Sequence, residues 1–174
     1  MNEFHHVTVL LHEAVDALRA APGGVYLDGT AGGGGHTALL LDKMDGRGTL
    51  YALDRDPDAI ANLGRKFQDK PVVRIAHGNF FEAASLFPGV AFDGVLLDLG
   101  VSSHQLDTDS RSFSYHREAP LDMRMSQAGI TAAQLVNTLS EQALADMFFQ
   151  LAQEKFSYRI AKAIVSARPV HTTT

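Results

Sequence analysis

Apolar and polar positions along the first hundred residues fall into blocks that predict helices and strands in turn. Between residues 9 and 20, Leu11, Ala14, Val15 and Leu18 recur at helical spacing, and Pro22-Gly23-Gly24 breaks the pattern. Val25-Tyr26-Leu27 is a short apolar strand ending at Asp28 and a glycine cluster. Ala38 to Leu41 predicts a helix, and Thr49 to Leu53 a strand ending at Asp54. Asp56 suits an N-cap and Pro57 a first helical position; Ile60, Leu63, Gly64 and Phe67 would line that helix's inner face. Val72 to Ala76 predicts a third strand, Asn79 to Phe87 a helix, and Gly94 to Leu97 a fourth strand ending at Asp98.

Strands that are nearly continuous apolar runs, alternating with helices, predict a parallel sheet covered on both faces. The expected fold class is α/β, an open, doubly wound, Rossmann-like sheet. Such sheets bind ligands at the carboxyl ends of their strands, marked here by Asp28, Asp54, His77-Gly78-Asn79 and Asp98. Four strands leave that sheet incomplete and the fourth as an apolar edge, so further sequence is expected beyond Thr174.

From about residue 105 the pattern changes. Gln105 to Met125 reads as a long ordered loop carrying Arg111, Arg117, Arg124, Phe113 and Tyr115. Thr131-Ala132-Ala133-Gln134 reads as a capping box, and Ser140 as the cap of a helix reaching about Leu151. Residues 154–167 place Phe156, Ile160, Ala163, Ile164 and Ala167 on one helical face and Lys155, Arg159 and Lys162 on the other. The expected organisation is an α/β core over 1–104 and a loop and helical substrate-recognition subdomain over 105–174.

Composition narrows the function classes. The chain has 174 residues, no cysteine and a net charge of -5, which excludes a disulfide framework and thiolate metal sites. His5, His6 and His12 lack the spacing of a metal-ligand set, so no metal is expected. The run Val7 to Leu11 is too short for a membrane span or signal peptide, so a cytoplasmic protein with no membrane partner is expected. Charge is uneven: residues 1–110 hold 8 Lys and Arg against 15 Asp and Glu, whereas residues 111–174 hold 7 against 5. A polyanion would meet the second half more readily. Arg111, Arg117, Arg124, Lys155, Arg159 and Lys162 are candidate phosphate contacts, and Phe113 and Tyr115 candidate stacking platforms. The competing readings are a solvated helix face, burial in the loop, and an internal Asp122–Arg124 pair.

The strongest local motif is Asp28-Gly29-Thr30-Ala31-Gly32-Gly33-Gly34-Gly35-His36, between a strand and a helix. Glycines there allow a tight turn and close approach of a ligand to the main chain. A dinucleotide fingerprint fits only on Gly33, Gly35 and Ala38. Asp54, some twenty residues on, stands where an acidic side chain can hold both hydroxyls of a ribose; the competing reading is that it caps a turn with Asp56. The glycine run and Asp54 together indicate an adenosine-containing ligand without choosing between S-adenosylmethionine and NAD.

The block Asp98-Leu99-Gly100-Val101-Ser102-Ser103-His104-Gln105-Leu106-Asp107 bears on that choice. So do Ala119 to Met125, His6 to Leu11 and Leu27 to His36. Together they closely resemble the RsmH (MraW) family of 16S rRNA cytosine-N4 methyltransferases, over essentially the whole chain. The resemblance implies a methyltransferase sheet with an inserted helical domain, S-adenosyl-L-methionine as cofactor, and a decoding-centre cytidine of the small ribosomal subunit as target. It leaves homodimerisation open. It places cofactor-binding positions on Gly34, Gly35, His36, Asp54, Phe80, Asp98 and Gln105. Asp54 would hold the ribose, Phe80 would pack near the adenine, and the glycine run and His36 would approach the methionine portion. Asp98 is the candidate catalytic residue. Two blocks depart from the family: Ser112 stands where the family has glycine, and Leu151-Ala152-Gln153-Glu154 where it has Tyr-Gly-Glu-Glu. If that glycine needs a positive φ, Ser112 carries a cost. Family members also run on past this point. A shortened, non-catalytic cofactor- or RNA-binding protein and a nicotinamide-dependent oxidoreductase are the alternatives.

Overall fold

The computed structural model describes residues 8–102, 105–106 and 108–174. His5 and His6 lie outside them, as do Ser103, His104 and Asp107 of the Asp98–Asp107 block. The chain divides into two units, Met1–His104 and Gln105–Thr174.

The first unit is an α/β layer built around four parallel strands: β1 (Val25–Asp28), β2 (Thr49–Asp54), β3 (Val73–His77) and β4 (Gly94–Leu96). Their order is β3-β2-β1-β4, so the chain crosses from one side of β1 to the other between β3 and β4. Alternation along each strand splits the core in two. On one face Tyr26, Leu50, Ala52 and Leu96 pack against α1 (Leu11–Leu18), α2 (Gly35–Lys43) and α3 (Pro57–Lys66). On the other, Leu27, Tyr51 and Leu53 meet Ala83, Phe87, Val90 and Phe92. Among the described residues that face is covered by a short segment only, so the doubly wound cover is unequal there. It includes α4 (Ala83–Leu86) and an aromatic cluster in which Tyr51 lies 4.5 Å from Phe87 and 5.5 Å from Phe92, ring centre to ring centre.

α3 starts where expected: Pro57 is its first residue, and the Asp56 carboxylate accepts from the Asp58 N–H at 3.1 Å. Its inner face is Ala59, Leu63 and Phe67, with Ile60 partly buried, whereas Gly64 is exposed. One residue of helical rotation beyond the buried Leu63 carries Gly64 out of the core. Truncating the fully buried Leu63 to alanine would cost about 2–5 kcal/mol. The segment expected as one helix from Asn79 is a 3-10 turn, Phe80–Glu82, followed by α4. An Asn79/Glu82 capping box starts that turn and satisfies its first amides locally. Strand four ends at Leu96, one residue short of expectation.

In the second unit, α5 (Ala132–Thr138) opens with the Thr131/Gln134 capping box, and α6 (Glu141–Ala152) with the Ser140 hydroxyl accepting from Ala143 at 3.2 Å. α6 packs against α7 (Ser157–Ser166) through Leu144, Ala145 and Ala161, with Phe148, Ile164 and Val165. The inner face of α7 is thus Ala161, Ile164 and Val165. Of the apolar stripe expected on one face, Ile164 packs inward, whereas Phe156, Ile160, Ala163 and Ala167 are exposed. No helix among the described residues is long and apolar enough to cross a membrane.

Candidate functional site at the strand ends

Because β1 lies between β2 and β4, the strand order reverses at the β1/β4 gap. A crevice forms outside the carboxyl ends of strands at such a point. The loop leaving β1 is built there. Gly29 N–H donates to Leu96 O at 2.9 Å, and Asp98 N–H donates to the Thr30 hydroxyl at 2.7 Å. These bonds tie the segment after β4 to the glycine turn, and Asp98 itself is exposed.

Asp28 and Thr37 anchor the turn from beneath. Asp28 is fully buried; its carboxylate accepts from the Thr37 hydroxyl at 2.7 Å and from the Thr30 N–H at 3.3 Å. Burial raises its pKa to about 6 against those bonds, with a smaller push from Asp54 and Asp98.

Asp54 holds the turn from the side. Its carboxylate accepts from the Gly32 N–H at 2.7 Å and the Asp56 N–H at 2.9 Å. Burial raises its pKa, opposed by the amides of Asp56, Gly32 and Arg55. Three backbone donors occupy most of the roughly four acceptor positions of a carboxylate. Asp54 therefore caps the turn with Asp56, as the competing reading of its sequence position has it, and also holds the glycine turn, which the sequence did not reveal.

Lys66 was also missed. Its ammonium donates to Gly33 O and Gly34 O, both at 3.0 Å, and stands 5.7 Å from the Phe67 ring centre. Partial burial lowers its pKa. No motif marks a lysine thirty residues beyond the loop it braces; only the packing of α3 brings it there.

Gly34 and Gly35 need to be glycine for separate reasons. Gly34 is the N-cap of α2 at φ 72°, and a Cβ there would press on Phe67 and Leu63. A Cβ at Gly35 would collide with the Thr8 hydroxyl. No side chain caps α2, so its first amides remain available to an acceptor. His36 follows, 5% exposed, and its Nε2 has no hydrogen-bond partner. Burial lowers its pKa, opposed by the Asp98 charge and a hydrogen bond to the Val9 backbone.

Phe80 packs beside Gly29 with its ring 40% exposed. Gly34, Gly35, His36, Asp54, Phe80 and Asp98 thus meet along one rim of the first unit. Gln105 belongs to the second unit, where it is buried. A buried imidazole nitrogen without a partner, an uncapped helix start and backbone too close for a Cβ together fit a polar ligand lying against the main chain.

The candidate phosphate-binding arginines of the long loop have internal partners. Arg124 makes a bidentate pair with Asp122 at 2.6–3.1 Å, Arg117 pairs with Asp109 at 3.0 Å, and the buried Arg111 donates to Arg124 O and Met125 O. Phe113 is half-buried and Tyr115 exposed. Ser112 sits at φ 60°, the left-handed conformation that favours glycine, and its hydroxyl donates to Pro120 O. In the second departure Ala152, at the family's glycine position, closes α6 in ordinary helical backbone; the left-handed residue of that block is Gln153, at φ 52°.

The MraW methylase family model matches residues 3–174. Ribosomal RNA small subunit methyltransferase H of Streptococcus equi subsp. equi (strain 4047) is 49% identical over 99% of this chain and 58% of its own length. The protein of the same name from Deinococcus radiodurans is 49% identical over 98% of this chain and 55% of its own length. The solved structure of PH0851 superimposes with a TM-score of 0.49 at 26% identity, over 53% of this chain and 21% of that one. The chain spans a little over half the length of the curated relatives it matches. Its residues 3–174 match the family profile, and the chain therefore belongs to the MraW methylase family.

Proposed function

We propose that this chain carries the cofactor-binding half of an rRNA methyltransferase that moves a methyl group from S-adenosylmethionine to the N4 amino group of a cytidine in 16S rRNA. The observation that carries the reading is the convergence of the braced glycine turn and the exposed Asp98 at the β1/β4 switch point. What favours S-adenosylmethionine over a nicotinamide dinucleotide is the family, together with the poor fit of the glycine run to the dinucleotide spacing.

When bound, S-adenosylmethionine supplies an electrophilic methyl group on a sulfonium. The glycine turn, the open amides of α2 and His36 Nε2 would receive its polar methionine end, with Phe80 beside the adenine. Asp54 would take a ribose hydroxyl with the acceptor position its backbone bonds leave. The cytosine amine is a poor nucleophile because its lone pair is delocalised into the ring. Asp98 would accept a hydrogen bond from that amine, favouring a pyramidal nitrogen whose lone pair faces the methyl group, and positioning then supplies most of the acceleration. The nitrogen becomes acidic as it is methylated, so its proton leaves without a strong base. The target base would enter unstacked from its strand.

Calorimetric titration of the 174-residue chain with S-adenosylmethionine tests cofactor binding. Transfer of labelled methyl to isolated small ribosomal subunits, with nucleoside analysis of the product, tests the reaction. Saturable binding with N4-methylcytidine formed is the expected outcome. Binding without transfer leaves a cofactor-binding protein; no binding by a folded chain removes the reading. Asp98→Asn is expected to lower transfer about 10²- to 10³-fold, the scale of a lost transition-state hydrogen bond, while cofactor affinity changes little.

A further inference from the structure

We propose that the outward face of α7 is a docking surface for an unpaired RNA strand, with a base stacked on Phe156 and neighbouring phosphates held by Lys155, Arg159 and Lys162. This deepens the rRNA-substrate reading and rests on it.

The face is apolar and cationic at once. Phe156 is 60% and Tyr158 57% exposed, and Ile160 and Ala163 lie beside them. With Glu154 and Arg159, three of these line an open depression of about 430 Å³. The Arg159 guanidinium carbon lies 5.3 Å from the Phe156 ring centre, the arrangement in which arginine and aromatic rings share a stacked base. Arg159 and Lys162 lie at helical spacing along the exposed side of α7, and Lys155 is exposed in the turn that leads into it.

What separates these cations from the others of the unit is their lack of partners. Arg117 and Arg124 are paired with carboxylates, Arg111 is buried, and Arg168 is turned onto Val136 O and Leu139 O. Among the described residues, Lys155, Arg159 and Lys162 make no ion pair. The nearby acids are engaged: Glu154 accepts from the Phe156 N–H at 2.7 Å, and Glu141 is hydrogen-bonded to the Tyr158 hydroxyl. Three unneutralised cations alternating with exposed rings match a chain of phosphates interleaved with bases. A second copy in two-fold contact would bring the same cations against each other.

The test is fluorescence anisotropy of a labelled unstructured 12-nucleotide RNA with the whole chain, across a salt series. Two variants are compared: Phe156→Ala, and Lys155→Gln/Arg159→Gln/Lys162→Gln combined. All four positions are exposed, and thermal melting checks folding. Phe156→Ala is expected to weaken binding roughly 5- to 150-fold, the range for one stacked base. The triple variant is expected to flatten the slope of log affinity against log salt by about 2, for three phosphate contacts on a single strand. S-adenosylmethionine affinity, measured alongside, reports on the first unit separately. RNA binding that neither variant alters overturns the proposal and leaves the rRNA-substrate reading standing. Absence of RNA binding overturns the proposal, while methyl transfer to whole subunits decides the broader reading. A sedimentation shift to dimer, or pelleting with phosphatidylserine vesicles, that the triple variant abolishes in place of RNA binding would reassign the face and overturn it too.

Discussion

Two residues show how local cost is traded for architecture. Asp28 is buried where the β1 turn must be held, and its pKa rises from 3.8 to about 6. Between those values the folded chain binds the proton more tightly than the unfolded chain does. Stability therefore falls as pH rises through that window, by roughly 3 kcal/mol in all. Asp28→Asn stays neutral, and its amide can donate to a Thr37 hydroxyl turned to accept. Urea midpoints at pH 4.5 and 7.5 should show the variant losing that slope and gaining on the parent at the higher pH; an unchanged slope would refute the assignment. Ser112 is the second case. Left-handed backbone costs about 1–2 kcal/mol for a non-glycine residue, and the hydroxyl bond to Pro120 O returns about 1. Ser112→Gly should thus be nearly neutral, whereas Ser112→Ala keeps the strain, loses the bond and falls by about 1 kcal/mol. Equal melting temperatures for the two variants would contradict this.

At the scale of elements, the glycine turn is a loop clamped by two side chains, one from β2 and one from α3. Asp54 at the end of β2 takes the Gly32 amide, and Lys66 at the end of α3 takes the Gly33 and Gly34 carbonyls. Lys66→Met removes two charge-assisted bonds at a partly exposed site, worth about 1 kcal/mol together after solvent screening. Weaker S-adenosylmethionine binding by about fivefold is expected, with amide exchange faster over Gly33–His36. Lys66→Arg keeps a forked donor and should restore both; equal affinity for Lys66→Met and the parent would show that the brace is idle. Asp54→Ala, the direct probe of a ribose contact, would also release this turn, so its melting temperature must accompany its affinity.

At the scale of the whole molecule, β4 has a neighbour on one side only among the described residues, and Val95 and Leu97 near it are exposed. An apolar strand with an open edge invites pairing with other chains. Light scattering is expected to rise with concentration in the micromolar range, and Val95→Lys, which places a charge on that strand, should suppress it. Scattering unaffected by Val95→Lys would place the association elsewhere.

The order of strands and helices, the caps at Asp56, Thr131 and Ser140, and the polar set at the strand ends could all be read from the chain. Each depends on residues within a few positions of one another, where backbone preference and periodicity act. The family blocks added the expected ligand type for the same reason: they are contiguous. Partnerships across the fold were not legible. Periodicity shows that Phe156 and Ile160 share a face, yet packing on α6 decided that Ala161, Ile164 and Val165 turn inward and leave that stripe in solvent. A count of cations in residues 111–174 gave no hint that four arginines are consumed internally while Lys155, Arg159 and Lys162 stay unpaired. Nor could it show that Asp54 and Lys66 close on the same four-glycine run. Such contacts join residues 22 to 33 positions apart, and only the burial that assembles β1, β2 and α3 brings them together.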